Sequence, residues 1–331
     1  MKARLLITIA AFGVLAAVVI VLAPLAGGTS INLASVFDRS KPFADNVDAQ
    51  IFFVARVPRV LAAALVGSSL AVSGVVFQAL LRNPLASPDT LGVSAGASLG
   101  AMLAIIFHAD FTLFGVSAVP LASFAGSLGA LTIVYALSVA RQRGSSSMVL
   151  LLAGVTLTAL LSAVVRFVQY LADFTETLQT TRWMMGSLDI ASYGPIVTAL
   201  VPIAIAWSGF LTLPRVLDLL SVGEASAAAR GVNVVQSERI ALVSASLAVG
   251  AAVSLGGPVA FVDIIVPHLV RLMVGAGHRV VLPASALFGA AFLVVCDLAA
   301  RTLFGPVEVP VGIITAIIGG PIFLWLLFRH A

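Results

Sequence analysis

Residues 149–172 read VLLLAGVTLTALLSAVVRFVQYLA, an unbroken apolar run with one charged side chain, Arg166. As a helix rising 1.5 Å per residue, a run of this length reaches about 36 Å. That is enough to cross the ~30 Å hydrocarbon core of a bilayer. The run shows no alternation of period two, so it is no strand of an outer-membrane barrel. Working outward, similar apolar stretches occupy 5–25, 51–80, 91–107, 116–140, 190–210, 240–254, 259–274, 281–303 and 309–328. The composition agrees: 60% of residues are hydrophobic and 10% charged, against about 45–50% and about 25% in soluble domains. Charge is costly in hydrocarbon, so its scarcity suits a chain that faces lipid. The reading is an all-α polytopic membrane protein of about ten transmembrane helices.

Cytoplasmic loops collect Lys and Arg. With the N-terminus inside, Lys2, Arg4, Arg82, Arg141, Arg143, Arg215, Arg230, Arg239, Arg271, Arg279 and Arg329 fall in the cytoplasm. Arg39, Lys41, Arg56, Arg59, Arg182 and Arg301 fall outside, and Arg166 lies within a span. The bias places both termini in the cytoplasm. Lys2 and Arg4 ahead of an apolar stretch resemble a signal peptide, but the stretch is long and no small-x-small site follows it, so an uncleaved first helix is expected. The longest polar stretches, 27–50 and 213–238, are too short to bury a core of their own. The whole chain, 1–331, is therefore expected to form one transmembrane domain. The single cysteine, Cys296, can form no intrachain disulfide. The net charge of +4 comes from scattered residues, so no nucleic-acid partner is expected.

Gly92-Val93-Ser94-Ala95-Gly96 matches the nucleophile elbow G-x-S-x-G, which has meaning only between a strand and a helix. Here it opens an apolar helix, where small residues serve close packing instead. The four histidines, His108, His268, His278 and His330, stand apart, so no metal site is expected. Lys2 and Lys41 are the only lysines and no phosphate-binding loop exists, so any ATPase must be another polypeptide. Arg166, at about 2.5–3.5 kcal/mol for an arginine at a helix centre, must face water or a carboxylate, or else snorkel to the outer interface. Asp263 and Asp297 are intramembrane carboxylates; Asp297 is four residues before Arg301, the spacing of a helical ion pair.

Five stretches in order resemble the permease subunits of type II ABC importers, the FecCD family, whose members import vitamin B12, iron–siderophores and haem. They are Arg56-Val57-Pro58-Arg59 running to Phe77-Gln78-Ala79-Leu80, and Arg82-Asn83-Pro84-Leu85-Ala86-Ser87-Pro88 with Leu91–Gly96. Leu152-Ala153-Gly154-Val155 and Trp183-Met184-Met185-Gly186 follow. The last is Gly257-Pro258 with Phe261-Val262, Pro267-His268, Arg271, His278-Arg279 and Val309-Pro310-Val311-Gly312. The resemblance covers nearly all of the chain beyond residue 50. It implies two inverted halves, about 51–172 and 240–328, joined by a helix at 190–210 and a cytoplasmic coupling segment at 213–238.

Within that segment a helix over 217–231, with Leu217, Gly223, Glu224, Ala228, Arg230 and Gly231, matches the element that family members lodge in their ATPase. Arg56, Arg59 and Arg301 match the family's docking arginines for glutamates of a periplasmic binding protein. Ser145, Ser146 and Ser147 match its cytoplasmic gate. Arg166 and Asp263 are assigned to the translocation path, although family members usually carry glycine where Asp263 stands. The implied assembly is a homodimer in the bacterial inner membrane, with two ATPase subunits that hold ATP and Mg. The permease itself would bind no cofactor. Its cargo is expected to be an iron-bearing or corrinoid chelate, with haem favoured over a siderophore or vitamin B12 because Arg166 suits a propionate.

Two other classes compete. A secondary transporter would use Asp263 or Asp297 as a proton relay and would work without ATP. An intramembrane protease would use Ser94 as nucleophile. Ser94→Ala should leave substrate uptake nearly unchanged in a permease and abolish turnover in a protease, and an uptake assay on the variant separates the two.

Overall fold

The computed structural model describes residues 2–38, 40–113, 115–139, 147–190, 192–303 and 307–330. Its helices of six residues or more are α1 Lys2–Leu22, α2 Val57–Leu80, α3 Val93–Ile106, α4 Ala118–Val139 and α5 Ser147–Leu171. They continue with α6 Phe174–Met184, α7 Gly194–Phe210, α8 Pro214–Leu220, α9 Glu224–Ala229 and α10 Val234–Gly256. The last are α11 Val262–Val274, α12 His278–Thr302 and α13 Val311–His330. A two-residue antiparallel ladder pairs β1 Thr112–Leu113 with β2 Val116–Ser117.

Each of the ten expected spans holds a helix. By length and apolar composition six helical segments can cross a membrane, or seven if α7 and α8, bent by 61° at their junction, count as one. Breaks have local causes. Pro58 has no N–H and its ring crowds the preceding turn, and the helix ahead of it widens into a π-helical stretch, Ile51–Arg56. Pro24 ends α1 in a 3-10 turn, Ala23–Leu25. Asn233 caps α10 by accepting from the Gln236 N–H at 3.1 Å. That cap starts the helix six residues earlier than the expected 240, so the coupling segment ends at Asn233 rather than 238. The expected loop after residue 172 contains α6. Its N-terminus is a reciprocal capping box of Asp173 and Glu176, a signature legible in the sequence.

The centre of the molecule is α2, whose most apolar stretch is 83% buried. It packs on α12, α10 and α11. The first helix of each expected half also packs on the third helix of the other: α2 on α12, and α10 on α4. Lipid is as apolar as a leucine side chain, so apolar burial gives helices little reason to associate there; close backbone approach does. Gly67 of α2 and Gly289 of α12 meet backbone to backbone, so a Cβ on either would strike the other's carbonyl. Gly74 meets the Asp263 backbone in the same way. Gly67→Val should cost about 1–3 kcal/mol through overpacking, read as a lowered melting temperature of the detergent-solubilised chain.

Candidate functional site

The end of α2 assigned to the outside by the charge bias carries a cluster of charges. Asp297, in the last turns of α12, is wholly buried. Arg59 reaches it across the α2–α12 contact, Nε to Oδ1 at 2.9 Å, and Arg301 approaches from one helical turn on, Nε to Oδ2 at 3.1 Å. The expected pairing of Asp297 and Arg301 is present. Arg59 also donates through Nη1 to Glu308 at 2.5 Å. Arg56, on the preceding turn, donates to the carbonyls of Pro24, Leu25 and Thr29 and ties the end of α1 to α2.

The three arginines expected to dock a binding protein are therefore together in space, but they are not presented to solvent. Arg56, Arg59 and Arg301 are all under 10% exposed. The physical reason is Asp297: a carboxylate buried among apolar helices needs cationic partners, and these arginines are spent on it and on backbone carbonyls. What the cluster shows to water is Glu308, whose side chain is 56% exposed.

At the opposite end, the coupling segment forms two helices rather than one, broken at Gly223 with φ +140°. Leu217 in α8 is fully buried, and α8 packs on α2 and α12, so Leu217 anchors the segment and faces no partner. Ala228, Arg230 and Gly231 are exposed. Gly231 takes φ +82° and closes α9 in a Schellman pattern, with the Val232 N–H on the Ala227 carbonyl at 3.1 Å. Glu224 accepts from Arg82 Nη2 at 2.8 Å. Asp218 accepts from the His278 backbone N–H at 2.9 Å and lies 2.7 Å from its Nδ1.

The path residues diverge. Arg166 lies with Phe167 and Tyr170 on an exposed face of α5 that no helix of the chain covers among the described residues. Asp263 is buried in the first turn of α11. It lines no open surface of the chain. It stands at the N-terminal, positive end of that helix. Its own carbonyl accepts from Gln78 at 3.3 Å, and Gln78 accepts in turn from Arg271. Ser145 and Ser146 lie outside the described residues, as does the side chain of Ser147, whose backbone opens α5. Ser94 follows a 3-10 turn, not a strand, and donates to Asp89. Among the described residues no three His, Cys, Asp or Glu side chains are grouped to hold a metal.

Known proteins resemble this chain in sequence and fold. The FecCD transport family matches residues 15–329. The Hemin transport system permease protein HmuU of Yersinia pestis is 41% identical over 279 residues, covering 83% of this chain and 82% of that one. The Cobalamin import system permease protein BtuC of Halobacterium salinarum is 42% identical over 272 residues, covering 82% and 72%. A solved metal-chelate type ABC transporter in an inward-facing conformation superposes with a TM-score of 0.84 at 33% identity, over 97% of this chain and 98% of that one. The chain belongs to the FecCD transport family. It is a multi-pass permease subunit of a type II ABC importer, not an enzyme, and works in a membrane with ATPase and substrate-binding partners.

Asp297→Asn should leave Arg301 and part of Arg59 uncompensated in the interior and cost about 3–5 kcal/mol. Thermal unfolding in detergent reads the loss, and replacing Arg59, Asp297 and Arg301 together by apolar residues should restore part of it.

Proposed function

We propose that two copies of this chain pair in the bacterial inner membrane around one translocation path. Each copy would cross ten times, in two inverted halves with both termini cytoplasmic. The exchange of α2 onto α12 and of α10 onto α4 supports the two-halves reading. The observation that carries the dimer is Arg166. The most apolar window of its helix is only 22% buried within the chain, and an arginine turned to lipid at that depth is costly. A second copy across a water-filled path removes that cost.

Two ATPase subunits, holding ATP and Mg, would engage the exposed side of the coupling segment around Ala228 and Arg230. The chain itself would bind no cofactor. A periplasmic binding protein would deliver the cargo at the Arg56–Arg59–Arg301 cluster, taking the place of Glu308. The cargo is an iron-bearing chelate. Haem is the favoured one, since Arg166 can meet a propionate and a relative named for hemin transport is 41% identical. Cobalamin is the second reading, carried by a relative named for cobalamin import at 42%.

In proteoliposomes with its ATPase and binding protein, uptake should require ATP, and Glu224→Arg should abolish it. Arg166→Ala should lower haem uptake about tenfold, the scale of one lost charge-assisted contact. Unchanged haem uptake in that variant would remove the argument from Arg166, and faster cobalamin than haem import by the unmodified chain would favour cobalamin as the cargo.

A further inference from the structure

The coupling segment is fastened at two points, and each belongs to a different long helix. Glu224 of α9 is paired with Arg82, one residue beyond the C-cap of α2. Asp218 of α8 holds both the first backbone N–H of α12 and the ring of its first residue, His278. A carboxylate can only accept, so the ring proton is on Nδ1. Between these points α8 packs directly on α2 and on α12.

The two long helices are joined to each other along their length. Gly67 and Gly289 put their backbones in contact near the middle. Arg59, Asp297 and Arg301 lock them together at the far end. As a 25-residue helix, α12 extends about 37 Å, so the pair links one face of the membrane to the other.

Arg82 is also strained. It has φ +49° in the left-handed region, at the position after a helix where glycine is usual. The Asn83 N–H on the Gln78 carbonyl at 3.1 Å and the Arg82 N–H on the Ala79 carbonyl at 3.4 Å complete the Schellman pattern there. Glycine would make the same turn without strain, but it would lose the guanidinium that meets Glu224. An arginine kept in a strained position points to a role for its side chain.

We infer that Arg82 and His278 are positioning residues that fasten the coupling segment to α2 and α12, so that the two helices move as one body and carry its displacement to the outer arginine cluster. The inference rests on the proposed role of the coupling segment. A mechanical link between two sites is a coupling free energy, and its loss should appear as futile ATP turnover without loss of fold.

The test uses the full transporter in liposomes, with its ATPase and binding protein, and measures ATP hydrolysed per solute imported. Arg82→Gly should keep or raise the melting temperature and raise that ratio about 5-fold or more, the lower end of a typical coupling between sites. His278→Ala should raise it likewise, and His278→Asn, which restores a donor toward Asp218, should return it toward the unmodified value. The exchanged pair Arg82→Glu with Glu224→Arg should recover coupling that either single change loses. Spin labels at Leu61 and Leu303, near the outer ends of α2 and α12, should keep one separation in the nucleotide-free and ATP-bound states. An unmodified ratio in Arg82→Gly and His278→Ala, with the ATPase still co-purifying, overturns the inference, as does a changed label separation. Failure of the ATPase to co-purify with the unmodified chain overturns the reading of the segment itself, and this inference with it.

Discussion

The backbone contact between Gly67 and Gly289 determines how close α2 and α12 can come, and much of the molecule is arranged around that distance. In water, apolar surface would drive the two helices together; in lipid it does not, and packing must supply the attraction. Small residues let it do so. Ala62, Ala63, Ser69, Ala71, Ser73 and Gly74 line α2 and are buried, so α10, α11 and α12 can all approach the same helix. A central helix with bulky side chains would hold its neighbours apart, and the charges at its end would lose one another.

Those charges follow from the same closeness. Asp297 is buried where no water can serve it, and its partners come from two helices that the glycines bring together. Removing solvent from ions costs several kcal/mol each, and close partners repay it only with good geometry. Here the repayment consumes the arginines that the family resemblance marks for an external partner. The surface offered outside is thus acidic at Glu308, with the cationic cluster beneath it. A delivery protein docking there, as proposed, would exchange one carboxylate for another.

A permease subunit moves solute and leaves bonds alone. The work of the chain is mechanical, and its polar contacts are distributed accordingly. They lie at the ends of the long helices: Arg82 with Glu224 and Asp218 with His278 at one face, Arg59 with Asp297 at the other. The middle of α2 and α12 is held by packing of small residues.

The sequence by itself determined the class, the place of each apolar helix and several of their boundaries. Spans are legible because apolar length is a local property, as are the stops at Pro24 and Gly231 and the capping box of Asp173 and Glu176. The family motifs were legible for the same reason, since each is a short run of letters. The expected coupling segment reads as one helix in the sequence and is two in the structure, because the break depends on Gly223 taking φ +140°, which the letter permits without requiring. Only the tertiary structure decided which charges meet. Arg59 and Asp297 are 238 residues apart, Arg82 and Glu224 142, and Asp218 and His278 60. Whether an arginine is offered to a partner or spent on a buried aspartate depends on what the fold brings within 3 Å of it. Desolvation and Coulomb attraction act through space, and no local pattern of residues records that distance.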